Sequence, residues 1–156
     1  MKSKVKFSTY SIILTIVIIA VLVGLCIYTE NNFKFYFLFS LLFVMLMFGC
    51  LYAPMQIEAD DESITVKGIL KSKKIPIDRI ADIETFQPTM GAIRLCGSGG
   101  FMGYWGIFRE GDVGIYSGFY GRASDCFFIR MKNGDKYVLG CENPGKMVEY
   151  IKNNII

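Results

Sequence analysis

The chain contains no histidine. That absence removes the commonest general base, every Ser-His or Cys-His nucleophile pair and the usual zinc ligand together. Charge is scarce as well, at 20% of the 156 residues against 53% hydrophobic ones. The five cysteines form no C-x-x-C pair, so neither a zinc site nor a disulfide framework is indicated. With a mean hydropathy of +0.39, these deficits exclude a water-soluble enzyme and leave a membrane protein carrying a small polar domain.

The hydrophobic surplus is concentrated at one end. Phe7 to Thr29 and Phe35 to Ile57 are each 23 consecutive uncharged residues. A transmembrane helix needs about 20 mostly apolar residues to cross roughly 30 Å of hydrocarbon, and the two runs predict helices at about 8–28 and 35–54. Tyr10, Tyr28, Tyr36 and Tyr52 stand near their ends, where interfacial aromatics belong. Only Glu30, Asn31, Asn32, Phe33 and Lys34 separate the runs, so residues 1–54 are expected to form a helical hairpin closed by a tight turn. Lys2, Lys4 and Lys6 precede it and Lys67, Lys71, Lys73 and Lys74 follow it, against Lys34 alone in the turn. This bias predicts a multi-pass membrane protein with both termini in the cytoplasm.

A cleaved signal peptide fits less well, because the first apolar run is too long and no A-x-A-like site follows it. Val23-Gly24-Leu25-Cys26 lacks the small residue that a lipoprotein box places before its cysteine, and Cys26 reads as an apolar side chain facing lipid or the other helix. Cys96, Cys126 and Cys141 read as small buried hydrophobes in a reducing compartment.

Residues 55–156 carry 13 basic and 13 acidic side chains, so no nucleic-acid footprint is visible there. Short runs rich in β-branched and aromatic residues alternate with turn residues, the pattern of an antiparallel barrel or sandwich. Strands are expected at Met55–Ala59, Ser63–Lys67, Lys74–Ile77, Ile80–Phe86, Ala92–Cys96, Gly114–Tyr120 and Asp125–Met131, with Pro76 marking an edge. Asn133-Gly134 between Cys126–Met131 and Lys136–Leu139 predicts a hairpin with a type I′ turn. Asn143 and Pro144 then open one amphipathic helix, with Met147, Val148, Ile151 and Ile155 on a single face.

Residues 97–121 interleave nine glycines with Phe101, Tyr104, Trp105, Phe108, Tyr116, Phe119 and Tyr120. No Gly-Lys-Ser/Thr follows and Met102 stands where a third glycine of G-x-G-x-x-G belongs, which argues against a phosphate loop. Ser98 lacks both the first glycine of G-x-S-x-G and a histidine to activate it. The plain reading is tightly bent strands. The sharper one is an aromatic-basic contact surface made of Tyr104, Trp105, Phe108, Arg109, Tyr120 and Arg122.

The order of these features resembles the membrane-anchored bacterial pleckstrin-homology (PH)-like domain proteins. The resemblance rests on Ser63–Thr85 with its KSKKIPIDRIADIET segment, on Gly97–Tyr120, and on Phe127–Ile151. It implies an α+β membrane protein whose strongly bent, seven-stranded sheet is capped by the C-terminal helix, with no enzymatic activity and no cofactor. Eukaryotic members bind phosphoinositides through basic residues in the first loop between strands. Here that loop is Asp60-Asp61-Glu62, of the wrong charge, so Lys67, Lys71, Lys73 and Lys74 in the next connection become the candidates for head-group contact.

Two functions are therefore expected from different classes. In the first, the domain at residues 55–156 contacts a membrane or cytosolic protein, or a second copy of itself. In the second it binds anionic membrane lipid through the lysines. A narrower third is protection against a peptide toxin, as some similar small membrane proteins provide. Catalysis or metal chemistry by Asp60 and Asp61 is disfavoured, since adjacent carboxylates on a turn face water and no third ligand is spaced to help.

Overall fold

Ser8 opens the first helix. Its backbone is extended, at φ −69° and ψ 150°, and its hydroxyl oxygen accepts the Ser11 N–H at 3.1 Å, which satisfies one of the donors left free at a helix start. From there the computed structural model, which describes residues 1–29, 32–89 and 91–155, runs through α1 (Thr9–Tyr28) and α2 (Asn32–Tyr52). At 20 and 21 residues each is about 30 Å long. Of their side chains only Ser11, Cys26 and the bare Gly49 are buried, so the helices expose apolar surface nearly all round. Both are long and apolar enough to cross a membrane. Asn32, Phe33 and Lys34, expected in the turn, form the first turn of α2 instead, while Glu30 and Asn31 lie outside the described residues.

The polar part builds two sheets. In the first, β1 (Lys2–Lys4), β2 (Gln56–Ala59), β3 (Ser63–Lys67) and β4 (Ser72–Pro76) lie in that order, all antiparallel. Pro76 ends the edge strand, as its missing N–H requires. In the second, the order is β5 (Ile80–Phe86), β9 (Cys126–Met131), β10 (Lys136–Gly140), β8 (Gly114–Tyr120), β7 (Gly103–Glu110) and β6 (Ile93–Gly100). A 3₁₀ turn at Ile77–Arg79 carries the chain from one sheet to the other. No ladder joins the two sheets among the described residues, so they form a sandwich and not a closed barrel, with ten strands where the resemblance implies seven.

Three further points differ from expectation. β1 was not anticipated, because three polar residues carry no periodic signal. It pairs with β2 in the register Lys2↔Glu58 and Ser3↔Ile57, and Val5 N–H donates to Met55 O at 3.0 Å. β8 and β10 run parallel, an exception to the antiparallel pattern. Finally, the Asn133-Gly134 turn is not type I′, because Gly134 takes a positive φ of 91° and Asn133 does not. Gly134 N–H donates to Met131 O at 3.0 Å and Met131 N–H to Asp135 O at 2.8 Å, a three-residue loop with glycine in the left-handed position.

The main core lies between the sheets and α3 (Pro144–Ile155). Ile57, Ile64 and Ile75 of the first sheet meet Phe127, Ile129 and Leu139 of the second, and Met147, Val148 and Ile151 close the cluster from α3. The side chain of Ile155 lies outside the described ones. Asp61, in the acidic turn, accepts from Tyr150 Oη at 3.0 Å and Asn154 Nδ2 at 3.3 Å and so docks this helix.

The domain is fastened to the helices through the β6–β7 hairpin. Its tip, Phe101-Met102, packs beside Gly49 of α2, where an added Cβ would meet Met102 Sδ at 2.3 Å. The Ser11 hydroxyl donates to Gly100 O and accepts Gly103 N–H at 3.0 Å, bridging the two ends of the tip. Met102, the one non-glycine residue with positive φ among those described (50°), donates its N–H to Thr15 Oγ1 at 2.9 Å. Further along, Gly97 and Gly106 face each other with φ of 107° and 131°, and a Cβ on either would lie 2.1 Å from a carbonyl oxygen of the other strand. Only glycine allows that bend.

Two outcomes follow for thermal unfolding of the full chain in detergent. Ser11→Ala leaves the Gly103 N–H buried without a partner and should cost about 1–3 kcal/mol, more than Ser8→Ala at about 1 kcal/mol. Gly106→Ala should cost about 3 kcal/mol or more by pushing the hairpin apart. Equal midpoints for Ser11→Ala and the parent chain would refute the bridge.

Candidate interface around the foot of the helices

The connection from β3 to β4 is tied to the end of α2. Gly68 N–H donates to Lys71 O at 2.8 Å and Leu70 N–H to Cys50 O at 3.1 Å, one of the carbonyls left free at a helix end. This fixes Ile69 and Leu70, 50% and 63% exposed, beside the helices. Ile69 lines an apolar cleft of about 240 Å³ with Phe7, Ile12, Ile16, Met55 and Met102. Two apolar tips, Ile69-Leu70 and Phe101-Met102, thus reach the same first turns of α1. Ile69 and Leu70 escape sequence reasoning because two apolar residues in a loop have no period.

The four candidate lysines do not act together. Lys67 Nζ lies 2.8 Å from Glu58, which Lys2 also approaches at 3.2 Å. The Lys67 hydrogen bond holds the Glu58 carboxyl below its ordinary range, opposed by desolvation and helped further by Lys2. Lys74 is exposed on β4, next in sequence to Lys73 and so on the opposite face. Lys71 and Lys73 remain, lining a cavity of about 310 Å³ with Leu51, Tyr52, Gly68, Ser72 and Phe119. Lys71 Nζ sits 5.4 Å from the Tyr52 ring centre, and Lys73 Nζ 4.5 Å from that of Tyr137 and 5.4 Å from that of Phe119. Desolvation pulls the Lys73 ammonium below the usual lysine range, and Asp135 opposes that shift. A half-buried cation held by rings, with no carboxylate in salt-bridge contact among the described residues, is suited to an anionic group arriving from outside. The turn Asp60–Glu62 offers nothing comparable, since Asp60 is taken up by the N–H groups of Glu62 at 3.1 Å and Ser63 at 2.7 Å.

The aromatic-basic set is divided by the pleat of β7 and β8. Tyr104 pairs with Tyr120 and Phe108 with Tyr116 on one face. There the rings stack at centre distances of 5.0 Å and 5.8 Å, and Phe108 and Tyr120 are each 3% exposed. Both are core residues, so they do not belong to a contact surface; aromatic area of that size is buried wherever a facing layer covers it. Burial pushes the Tyr116 and Tyr120 phenols well above their ordinary range. Arg122 is engaged by Asp125 at 3.8 Å.

Trp105 and Arg109 occupy the other face, opposite Phe119 and Ile115. Trp105 stacks on Tyr52 of α2 with ring centres 5.6 Å apart, and its Nε1–H donates to Phe101 O at 3.3 Å. Ile107 and Ile115 stand exposed beside Arg109. Lys71, Lys73, Trp105, Ile107, Arg109 and Ile115 therefore lie on the side of the domain from which α2 arrives. Cys96, expected to be buried, is exposed on β6, the outer strand of the sheet, whereas Cys126 and Cys141 are buried and their thiols are pushed up by desolvation.

No curated protein and no solved structure matches the chain. Residues 55–155 match the bacterial PH domain family, which accounts for β2 through α3 and leaves out the helices and β1. The two-sheet sandwich, the closing C-terminal helix and this match agree: the chain belongs to the bacterial PH domain family.

Proposed function

We propose that the chain is a non-enzymatic, multi-pass protein of the bacterial cytoplasmic membrane, with both termini in the cytoplasm, whose PH-like domain lies against the anionic inner leaflet. The observation that carries this reading is the β3–β4 loop bonded to the last turn of α2, with Ile69 and Leu70 beside the helix and Lys71 and Lys73 next along the chain. Apolar tips at helix depth, aromatic rings at the helix ends and cations next to them is the vertical order of a membrane interface. Each lysine near an anionic surface contributes about 1 kcal/mol. The lack of histidine and the structural use of Asp60 and Asp61 support a contact role over a catalytic one.

Trp105 is the only tryptophan, so its fluorescence reports this contact directly. In vesicles containing phosphatidylglycerol with brominated acyl chains, Trp105 emission should be blue-shifted and strongly quenched. The double change Lys71→Gln with Lys73→Gln should weaken quenching, and so should added salt, by screening. Emission that is unquenched, or indifferent to both changes, would remove the leaflet reading.

A second reading, contact with a partner protein or a second copy, is favoured by β6. Its outer edge has no neighbouring strand among the described residues, and Ile93 and Leu95 are 63% and 52% exposed there. Edges of this kind are ordinarily covered. A bifunctional maleimide in native membranes should then link Cys96 to a second copy or to a partner. Monomer alone at every protein density tested would count against assembly and leave leaflet contact standing.

A further inference from the structure

Arg94 is placed where two cavities meet. It pairs with Phe108 on the aromatic face of the sheet, and a register shift separates it from Cys96. Its side chain lies across Gly99, where an added Cβ would meet Nη1 at 3.2 Å. On one side is a cavity of about 640 Å³, lined among others by Gln87, Thr89, Tyr104 and Tyr120. On the other is a groove of about 310 Å³ formed with Leu14 and Ile18 of α1 and Val44, Met45 and Phe48 of α2. Arg94 and Gly99 line both. Volumes of this size are in the range of small-molecule sites, roughly 300–1,000 Å³.

No carboxylate engages Arg94 among the described residues. Glu110 projects from the same face of β7 but does not line the cavity. It is 6% exposed, accepts the Thr89 N–H at 2.9 Å and lies 3.4 Å from Tyr116 Oη. The wider cavity thus offers one guanidinium, the polar groups of Gln87, Thr89 and Tyr104 and a wall that includes Phe108 and Tyr120, whereas the narrower groove offers apolar side chains alone along the helices. The wide cavity sits level with the start of α1, since Ser8 N–H donates to Gly121 O at 2.9 Å, next to the lining Tyr120, and a Cβ added at Gly100, next to the lining Gly99, would meet Leu14 and Tyr10. The groove runs from that level toward Ile18 and Val44, deeper along both helices.

We propose that this pair of cavities holds one molecule of an anionic membrane lipid, its phosphate on the Arg94 guanidinium and an acyl chain in the groove between α1, α2 and β6. The fork of N–H groups on arginine matches phosphate oxygens. The polarity order of the two cavities, with charge at the helix start and apolar walls below it, matches an amphiphile and not a soluble anion. The site rests on the hairpin spanning a bilayer, as proposed above, but it is separate from the cavity of Lys71 and Lys73, which shares no lining residue with it.

The full-length chain is reconstituted in mixed phosphatidylglycerol and phosphatidylcholine, extracted in mild detergent and weighed by native mass spectrometry. One phosphatidylglycerol per chain should be retained in preference to phosphatidylcholine. Arg94→Gln, a change at an exposed side chain, should reduce retention about tenfold, and Val44→Trp should reduce it by filling the groove while Arg94 stays. Lys71→Gln with Lys73→Gln should leave retention intact. The proposal is overturned if the parent chain keeps no lipid, if Arg94→Gln keeps as much as the parent, or if glycerol 3-phosphate at equal concentration displaces the lipid. Loss of lipid only in the lysine variant would overturn it too, assigning the lipid to the other cavity and leaving leaflet contact intact. Because Trp105 also lines the groove, the two readings are separated by the lysine variant: quenching unchanged in Lys71→Gln with Lys73→Gln removes the leaflet reading, while lipid retention in that variant tests the Arg94 site alone.

Discussion

The pairing of β1 with β2 is the constraint on which the rest depends. These strands flank the helices, one on each side, and the register Lys2↔Glu58 makes the hairpin leave and re-enter a single sheet. A domain joined to its anchor by one linker could swivel; one joined by two adjacent strands is held at two points. Ser8 N–H on Gly121 O, Leu70 N–H on Cys50 O and the Ser11 bridge to the β6–β7 tip add further fastenings. Orientation at the foot of the helices is therefore set by backbone hydrogen bonds, which have little freedom to bend, and not by surface charge alone.

That rigidity explains why so few of the basic residues are available. Lys2 and Lys67 converge on Glu58, Lys6 meets Glu142 at 2.7 Å and Arg122 meets Asp125. These exposed pairs contribute little to stability, but each removes a cation from the set that could greet an anion. What is left at the helix foot is Lys71, Lys73 and Arg94, and among these the rings of Tyr52, Phe119 and Tyr137 hold only the two lysines. Counting lysines in the chain overstates the basic surface; following their partners reduces it to a few positions.

Much of the fold was legible. Ser63–Lys67, Ile80–Phe86 and Gly114–Tyr120 stand as strands with the expected bounds, because alternation and bounding glycines or acidic turns are local signals. β7 was missed: Gly103, Gly106 and the bulky aromatics between them break the period that would announce it, and only pairing with β6 and β8 makes it a strand. The same stretch divides the expected contact set between the two faces of the sheet. The parity of residues 104 to 109 separates Tyr104 and Phe108 from Trp105 and Arg109 in the sequence itself, yet which parity faces the core depends on the tertiary partner, Phe128 with Val138 behind Phe108. Lys71 and Lys73 could be named from charge; Ile69, Leu70 and Arg94 could not, because their significance lies in what the helices bring beside them.

The N-terminal strand also dictates an order of events. β1 precedes both helices in the chain, but the strand it needs, β2, follows them. Loop closure over that distance can occur only after the whole apolar segment has been made. Synthesis of the two helices thus comes before completion of the first sheet, and with the helices crossing a bilayer as proposed, β1 waits for them to return the chain to its side. If the helices cross a bilayer as proposed, a single helix that fails to cross leaves β1 and β2 on opposite sides, so the pairing of these strands requires that both helices cross or neither does.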